Sequence, residues 1–532
     1  MPNELELAAA HAAALRGARR CQEDIRINGQ SASLKSCQRI VRHLPNREAV
    51  FSQMLSRLLA AYGLLVIASA LDDESVAYYR SVAERPVSDS GKFSLVLLTS
   101  AAEADGAVCL DGSPGAYYLR EGSGDGAQKW YIHHEGGGWC ESLDDCHDRS
   151  YTYLGSTQFS LPTMSPVGGY FSQDPAVNPM MHNWNMVYLR YCDGGSFTGD
   201  KSTPTNHANT QLHFRGRRIR EAMLASLLAD HKLGAATDVV IGGCSAGGLA
   251  TYLHADHWCD ALAKATADPV TGDSAACVAM PDSGFFLDYE SPARRDRFGD
   301  LFGRRLSTRA GTYREGMRWL FYAMNASAGV GSECLAAYRG RGGPSANASA
   351  YLCIFAEHAA PFVRTPLFAL QPEFDSWQQS HVLGEGGSVA VMGANVSSRL
   401  QSALLKPHRR NGAFLDSCSH HCGAWGEIRI DGLLVADAFA QWYESVRQGT
   451  RRPRKRLWRQ GRPFPCKGCC QPDGVAAPLP PRWSRWGMAA VVLAAVVVFL
   501  WRKRAGRSMV PNALRPASRR STSSSSNWSI SM

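Results

Sequence analysis

Long apolar runs are almost absent from this sequence of 532 residues, and internal repeats are lacking altogether. Only two stretches are apolar enough to engage a bilayer, which excludes a polytopic membrane protein. The chain is 45% apolar and 20% charged, as globular proteins are, so a disordered chain, a collagen and a coiled coil are also excluded. The length allows two to four domains, or one large α/β enzyme with tails.

Acidic residues are nearly missing from the C-terminal end. Between Arg451 and Met532, 17 lysines and arginines face a single acid, Asp473, which gives this tail a net charge of +16. The rest of the chain has 40 basic and 46 acidic residues and a net charge of −6, so the overall +10 is a property of the tail. Because nucleic-acid-binding domains usually carry their own basic face, we expect no nucleic-acid partner.

Paired Cys-x-x-Cys motifs of the zinc-ribbon kind do not occur, although the chain has 16 cysteines. So many cysteines instead indicate disulfides formed in an oxidising compartment. Eleven of them lie from Cys109 to Cys422, and this odd number predicts either a free thiol or a bond to Cys466, Cys469 or Cys470. Three Asn-x-Ser sequons agree with passage through the secretory pathway. The predicted glycosylation sites are Asn325, Asn347 and Asn395.

Residues 54–70 have the architecture of a secretory signal. Arg57 forms a short basic region, residues 58–67 are apolar, and the small residues at 68–70 fit a cleavage site. The alternatives are a true start at Met54 and an uncleaved signal anchor, with residues 1–53 as an N-terminal extension of uncertain role. We favour the cleaved signal, because the apolar stretch is too short to span a bilayer.

Three segments are predicted after the body of the chain. Residues 446–485 are rich in Arg and Pro and are interpreted as a basic stalk, which would hold the protein near an anionic polymer or membrane face; a solvated spacer is the alternative. Residues 486–501 carry no charge and are predicted to form one transmembrane helix, which would anchor a luminal or extracellular body. Residues 502–532 end in a serine run and are predicted to be disordered.

The strongest chemical signal surrounds Ser245. Residues 238–243 have the composition of a buried strand, and Gly-Cys-Ser-Ala-Gly at 243–247 leads into a predicted helix. A strand, a Gly-x-Ser-x-Gly turn and a helix form the nucleophile elbow, in which the sharp turn exposes the serine hydroxyl. An ordinary glycine-rich turn is the alternative. The context favours Ser245 as a nucleophile.

The other groups that such a serine needs follow in the chain order of an α/β hydrolase. A predicted strand at 129–134 runs directly into Glu-Gly-Gly-Gly-Trp at 135–139, which suits an oxyanion loop. A second predicted strand at 365–370 precedes the candidate acid Asp375, and His421 is the candidate base. The order of nucleophile, acid and base predicts a catalytic triad.

Each member of this set has a competitor. Glu373 competes with Asp375 for the role of the acid, and Asp375 also suits a helix N-cap because Gln378 lies three residues on. His420 competes with His421, and spacing alone does not choose between them. His133 and His134 lie on the first predicted strand, where packing or pocket lining is expected of them.

Several segments together resemble the pectin acetylesterases and the Notum-type carboxylesterases. The resemblance covers about residues 106–445, and the matching segments lie at 135–140 with Cys146, 190–200, 214–216, 243–248, 282–286, 374–378 and 417–422. The forms of 135–140 and 374–378 are closer to the plant-type acetylesterases than to animal Notum. The predicted C-terminal tail and anchor depart from both groups.

The resemblance implies an α/β-hydrolase-like domain over 106–445, with a central, mostly parallel sheet flanked by helices. It places the acid on Asp375 and the base on His421. It implies backbone N–H donors for the oxyanion and one local disulfide, and it requires no metal and no cofactor. The residues it assigns to these last roles are Gly137, Gly138 and Ala246 for the oxyanion hole and Cys140 with Cys146 for the disulfide.

The function expected from these observations is a monomeric serine esterase that removes acetyl groups from a polysaccharide such as pectin. The alternative within the same class is a deacylase that takes a long acyl chain from a lipidated protein and needs a deep apolar pocket. The alternative in a different class is an inactive binding protein on the same fold. Cys244, next to the candidate nucleophile, is expected to pack or to form a disulfide.

Overall fold

The computed structural model describes residues 91–166, 169–267, 274–290, 312–339, 343–384, 386–450, 453, 455–466 and 469–470. These residues all belong to one unit that spans Pro86–Ala477.

Most strands of the described chain belong to a single large sheet. The strands are β1 (Phe93–Leu97), β2 (Ala116–Arg120), β3 (Lys129–His134), β4 (Thr163–Met164), β5 (Asn185–Leu189), β6 (Thr205–His207), β7 (Thr210–Leu212), β8 (Asp238–Cys244), β9 (Ala276–Asp282), β10 (Phe368–Pro372), β11 (Gly412–Asp416), β12 (Arg429–Ile430), β13 (Leu433–Leu434) and β14 (Leu457–Arg459).

Helices lie between most of the parallel strands. They are α1 (Thr99–Asp105), α2 (Leu143–Ser150), α3 (Gly216–Asp230), α4 (Ala246–Thr266), α5 (Tyr313–Ala323), α6 (Ser332–Arg339), α7 (Ala356–Ala359), α8 (Ser376–His381), α9 (Val389–Leu400) and α10 (Val435–Arg447). A 3-10 run at Gly343–Ile354 follows α6, and a π-helical turn at Gln401–Leu405 continues α9.

The main sheet has ten strands in the order β14-β11-β10-β9-β8-β3-β5-β2-β1-β4. Neighbouring strands from β14 to β5 pair in parallel, and β2, β1 and β4 complete the other edge with antiparallel pairs. The central strand β8 therefore has parallel neighbours on both sides. The carboxyl ends of its neighbours lie at the same edge of the sheet, which is where open α/β sheets build their sites.

Both faces of the sheet are covered by apolar side chains. Along β8, Val239 and Ile241 belong to one buried apolar cluster and Val240 to the other, because successive residues of a strand point to opposite faces. Helix α4 packs on the first cluster through Leu249 and Trp258, which are fully buried. The run of apolar residues in β8 is thus explained by burial on two sides.

The sheet extends past the expected domain end at residue 445, into the segment interpreted as a stalk. Strand β14 pairs in parallel with β11, and its Trp458 is buried. Arg459 Nε lies 2.6 Å from Glu373 Oε1, and Cys470 is bonded to Cys418. The expected start of the domain at residue 106 was also too late, since β1 begins at Phe93. The stalk interpretation was therefore wrong for the part of 446–470 that the structure describes: a buried indole, an ion pair and a disulfide outweigh the local Arg/Pro composition.

Seven disulfides join the described cysteines, and none of these cysteines is left free. The pairs are Cys109–Cys192, Cys140–Cys146, Cys244–Cys422, Cys259–Cys277, Cys334–Cys353, Cys418–Cys470 and Cys466–Cys469. The bond of Cys418 to Cys470 accounts for the odd number of cysteines between Cys109 and Cys422. This disulfide content fits folding in an oxidising compartment.

Within the residues described above, no helix has the length and apolar character that crossing a bilayer requires. The predicted extension at 1–53, signal at 54–70, span at 486–501 and tail at 502–532 lie outside the described residues.

Candidate active site

Ser245 lies at the sharp turn between β8 and α4. Its backbone has φ 62° and ψ −125°, a left-handed conformation that is costly for any residue other than glycine. A backbone hydrogen bond fixes the turn: Ser245 N–H donates to the carbonyl of Asp282 over 3.0 Å. The side chain is largely buried, and the predicted elbow is present in the geometry of these residues.

The glycines around Ser245 allow strand and helix to meet closely. A Cβ atom on Gly247 would lie 2.0 Å from the carbonyl oxygen of His134, and one on Gly243 would lie 2.3 Å from the carbonyl oxygen of Gly247. Both contacts are to backbone, which cannot move aside. The Gly-x-Ser-x-Gly pattern is thus required by packing in addition to any chemistry.

Asp375 and His421 are joined by a hydrogen bond. His421 Nδ1 lies 2.9 Å from Asp375 Oδ2, and the Asp375 side chain is fully buried. The other oxygen, Oδ1, accepts from the backbone N–H of Gln378 over 2.8 Å and caps helix α8. The two interpretations of Asp375 are therefore compatible, because each carboxylate oxygen has its own partner.

The second ring nitrogen of His421 is available for chemistry. His421 Nε2 is buried and has no hydrogen-bond partner among the described residues, Ser245 included. Hydrogen bonds between a nucleophile and its base are often long in a free enzyme and tighten when substrate binds.

The competing residues have other partners. His420 Nε2 lies 3.1 Å from Asp416 Oδ1, and its Nδ1 lies 3.2 Å from the carbonyl of Cys422. Burial disfavours the charge on His420, but the hydrogen bond and charge of Asp416 outweigh it and raise the pKa of His420 to about 9. Glu373 pairs with Arg459 and accepts from Ser417 Oγ over 3.0 Å.

A disulfide ties the two halves of the site together. Cys244 immediately precedes Ser245, Cys422 immediately follows His421, and the two cysteines are bonded. The sequence left the partner of Cys244 unknown, because a separation of 178 residues carries no local signal.

Two residues at the end of β9 add further ties to the same loop. Cys422 N–H donates to Ser283 Oγ over 2.8 Å, and Gly423 N–H donates to Asp282 Oδ2 over 3.1 Å. The carbonyl of Asp282 also accepts from Ser245, so this aspartate contacts both the elbow and the histidine loop. Burial raises the pKa of the Asp282 carboxyl, although the Gly423 and Ser283 hydrogen bonds oppose the rise. Asp282 and Ser283 were noticed in the sequence only as part of a matching segment.

The loop after β3 passes close to Ser245. A Cβ atom on Gly136 would lie 2.4 Å from the carbonyl oxygen of Cys244 and 3.0 Å from Ser245 Cβ. Gly137 and Gly138 have φ values of 139° and 66°, which only glycine adopts without strain. Ala246 begins helix α4, where a backbone N–H has no carbonyl one turn before it.

Two side chains hold the carbonyls of this loop. Arg149 Nη1 donates to the Gly137 carbonyl over 2.9 Å, and Tyr191 OH donates to the Gly138 carbonyl over 2.7 Å. Because a carbonyl shares its peptide plane with the N–H of the next residue, these two bonds fix the N–H directions of Gly138 and Trp139. Arg149 lies on α2, which the Cys140–Cys146 disulfide joins to the loop.

Beneath the loop, Glu135 is paired with Arg190 and accepts from Tyr191 N–H over 2.7 Å. Burial raises the pKa of the Glu135 carboxyl to about 7, while the Arg190 charge acts in the opposite direction. This buried pair anchors the start of the loop on the segment after β5. A buried pair is costly to break, so it specifies the position of the loop.

Four aromatic side chains pack together beside His421. Ring centroids of Trp139 and Phe286 are 4.9 Å apart, and those of Phe286 and Trp377 are 5.1 Å apart. Tyr313 contacts both tryptophans, and the rings of Phe286 and Trp377 lie 6.1 and 6.2 Å from that of His421. These rings supply an apolar wall next to the imidazole.

His133 and His134 are buried inside the sheet core. His133 Nδ1 is 2.8 Å from Tyr131 OH, and Trp258 Nε1 donates to His134 Nε2 over 3.2 Å. Burial lowers the pKa of each histidine to about 3, which keeps both neutral. They pack as expected of strand residues.

One cluster of carboxylates and imidazole could in principle hold a metal ion. Ligand atoms of Asp288, Glu357 and His358 lie within 4.8 Å of one another. His358 Nε2 is already bonded to both carboxylates, and Arg314 and Arg399 neutralise them. Burial disfavours the charge on His358, but these acids outweigh it and raise its pKa to about 9. In this structure the cluster is an ion-pair network.

The predicted glycosylation sites differ in their surroundings. Asn325 is exposed, and its Nδ2 donates to the carbonyl of Asp200 over 2.9 Å. Asn395 lies half-buried within α9. The side chain of Asn347 lies outside the described part of the chain. Glycosylation at these positions stays a prediction.

The main sheet is mostly parallel with an antiparallel second strand, and the serine elbow follows its central strand. These features define the α/β-hydrolase fold. Within that class, residues 88–471 match the family model described as pectinacetylesterase. The match covers most of the chain, and the chain belongs to this family. It is a carboxylic ester hydrolase, as the resemblance predicted.

Individual relatives fall into the two expected groups. Pectin acetylesterase 5 of Arabidopsis thaliana is 31% identical over 419 residues, which cover 73% of this chain and 87% of the relative. The human palmitoleoyl-protein carboxylesterase NOTUM is 26% identical over 354 residues, 64% of each chain. The Drosophila Wnt deacylase Notum structure aligns with a TM-score of 0.55 and 25% identity, covering 71% of this chain and 99% of that one.

Proposed function

We propose that Ser245, His421 and Asp375 form a catalytic triad that removes acetyl groups from a polysaccharide such as pectin. The observation that carries the proposal is the state of His421. One ring nitrogen is held by Asp375, and the other is buried and unpartnered on a loop bonded to the residue before Ser245.

In the proposed reaction, His421 Nε2 takes the hydroxyl proton of Ser245 as Oγ attacks the ester carbonyl. Asp375 keeps the Nδ1–H tautomer and stabilises the imidazolium. The bond to the sugar oxygen then breaks, and that oxygen takes the proton back from His421. Water repeats the sequence on the acetyl-serine and releases acetate, so the enzyme returns unchanged.

The oxyanion of each tetrahedral intermediate would accept from the backbone N–H groups of Gly137, Gly138 and Ala246. Each such donor is worth roughly 3–4 kcal/mol in related hydrolases. Arg149 supports the assignment of Gly138, because it holds the Gly137 carbonyl, which shares a peptide plane with the Gly138 N–H. Preorganised dipoles need no rearrangement when the charge appears.

The similarity to the relatives favours a short acyl group over a long one. The Arabidopsis relatives named pectin acetylesterase are 28–33% identical over 64–78% of this chain. The Drosophila, mouse and human Notum relatives are 26–28% identical over 64% of this chain, and the Schmidtea mediterranea Notum is 32% identical over 35% of it.

The membrane anchor in this proposal is supported by the sequence alone. The uncharged segment at 486–501 would hold the catalytic domain at a membrane on the luminal or extracellular side. The disulfides of the domain are compatible with that side.

The test is release of acetate from acetylated pectin by the wild type and by Ser245→Ala, Asp375→Ala and His421→Ala. We expect each variant to stay folded and to lose at least about 10³-fold in kcat, since triad members act as a unit. His420→Ala is the matched control, because this neighbouring histidine has a different partner. A variant series in which His420→Ala is inactive and His421→Ala is active would refute the assignment, and a wild type that does not label with a serine-directed probe would favour the binding-protein alternative.

A further inference from the structure

Two exposed tyrosines lie beside the candidate oxyanion loop and take no part in the proposed chemistry. Tyr151 is 61% exposed and Tyr153 is 55% exposed. Both belong to the turn that follows α2, and we call this pair the tyrosine ledge. Tyrosine is enriched at binding surfaces, because its ring is apolar and its hydroxyl forms hydrogen bonds.

The turn that carries the ledge is rigid. Thr152 N–H and Oγ1 donate to the carbonyl of Arg149 over 2.9 and 2.8 Å, and Gly155 N–H donates to the Thr152 carbonyl over 3.0 Å. A Cβ atom on Gly155 would lie 2.3 Å from the Arg149 carbonyl oxygen, so the chain closes tightly here. A ligand that binds to such a turn loses little free energy to ordering it, because the turn is already ordered.

Each ring is also held in place while one side stays open. The Tyr153 ring has the Arg190 guanidinium 5.7 Å from its centroid, and Arg190 Nη2 donates to the Tyr153 carbonyl over 2.8 Å. The Tyr151 ring stands edge-on to His147 at 5.1 Å, and its hydroxyl is 3.1 Å from Thr210 Oγ1. The rings are therefore fixed and not merely exposed.

The ledge is continuous with the oxyanion loop through two contacts. Leu154, next to Tyr153, approaches Gly137 so closely that a Cβ on the glycine would lie 2.6 Å from Leu154 Cδ2. Arg149 bonds the carbonyls of both Gly137 and Leu154, at 2.9 and 3.1 Å. The ledge therefore lies next to the loop that is proposed to bind the oxyanion.

We propose that the tyrosine ledge is a subsite for the polysaccharide chain, in which Tyr151 and Tyr153 stack against pyranose rings next to the sugar that carries the acetyl group. The C–H faces of pyranose rings are apolar and pack on aromatic faces, as flat ligands do in aromatic-lined sites. The proposal rests on the proposed function, because it takes the substrate to be a polymer.

Charge on the same helix indicates which polymer to use as the probe. The carboxylates of Asp148 and Asp144 are 85% and 58% exposed beside the ledge, although Asp148 is paired with His147 and Asp144 with His207. Exposed carboxylates disfavour an anionic chain nearby. Acetylated pectin with a high degree of methyl esterification is therefore the appropriate probe.

The experiment compares Tyr151→Ala, Tyr153→Ala and the double variant with Tyr322→Ala. Tyr322 is a matched control: it is 47% exposed, and its ring contacts are with Phe321 and Tyr351. For each protein, KM and kcat are measured on the methyl-esterified acetylated pectin and on 4-nitrophenyl acetate. Tyr153→Trp tests whether any aromatic ring restores binding.

We expect the double variant to raise KM for the pectin about tenfold, a loss of about 1.4 kcal/mol, with kcat unchanged. Hydrolysis of 4-nitrophenyl acetate by the same variant should equal that of the wild type, and Tyr153→Trp should restore the pectin KM. An unchanged pectin KM, or an equal loss of activity on both substrates, would refute the ledge as a subsite and leave the proposed esterase activity intact. A wild type that hydrolyses 4-nitrophenyl acetate but no acetylated polysaccharide would overturn the polymer and the ledge together.

Discussion

The disulfide between Cys244 and Cys422 should matter more for catalysis than any other in the domain. Its two cysteines flank Ser245 and His421, which reach the site from strands far apart in the chain. Replacement of both cysteines by serine removes the covalent tie and leaves the hydrogen bonds of Cys422 N–H and Gly423 N–H to the end of β9. The histidine loop then keeps its other contacts, which include the His421–Asp375 hydrogen bond and the Cys418–Cys470 disulfide, but it has no covalent bond to the residue before Ser245.

The size of the stability loss follows from the length of chain that the bond closes. A sequence separation of 178 residues gives about 5 kcal/mol in the chain-entropy description. The Cys259–Cys277 bond, which joins α4 to β9, closes only 18 residues and gives about 3 kcal/mol. The second pair is thus a control that lowers stability without touching the proposed triad.

The catalytic effect should separate the two pairs. We expect Cys244→Ser/Cys422→Ser to lower kcat on 4-nitrophenyl acetate by between about tenfold and 100-fold, since a misplacement near 1 Å costs up to about 100-fold. Cys259→Ser/Cys277→Ser should keep kcat. Guanidinium unfolding measures the free energies, and kinetics are run at a temperature where circular dichroism shows both proteins folded. Equal kcat in the two folded variants would refute the idea that this disulfide aligns the site.

Three further predictions follow from the same structure. Rates on 4-nitrophenyl esters should be highest for the acetate and fall with acyl length, as expected of an acetylesterase. An optimum at eight carbons or more would favour the lipid deacylase. Trp458→Ala should lower the free energy of unfolding by roughly 3–5 kcal/mol, the usual cost of removing a buried tryptophan side chain. A chain that ends at residue 445 should fail to fold, whereas a chain that ends at residue 471 should fold. A stable chain ending at 445 would contradict the place of β14 in the sheet. The raised pKa of His420, about 9, means that its pair with Asp416 stabilises the fold fully below pH 6.5 and is lost as the pH rises through 9. The stability of His420→Gln relative to the wild type should therefore improve across that range, and a constant difference would show that the pair does not titrate as described.

Local signals in the sequence were sufficient for the elements that carry the candidate site. The predicted strand at 129–134 is β3, and the predicted strand at 238–243 is β8 with one more residue. Each has an apolar centre and leads into a glycine turn, so the composition agrees with burial on two faces. The predicted strand at 365–370 begins three residues later, at Phe368, because Thr365 instead bonds Asp256 through its N–H and Oγ1.

By itself the sequence determined the fold class, the family and the set of residues from which a triad is proposed, because turn glycines, apolar strands and their order are local or ordinal features. Only the tertiary structure shows which acid each neighbouring histidine contacts: His421 contacts Asp375, while His420 contacts Asp416. It alone showed that Cys244 bonds Cys422 and that a basic, proline-rich segment supplies β14. Apart from the contact between His420 and Asp416, these contacts join residues tens of positions or more apart, and no short stretch of the sequence determines their free energy.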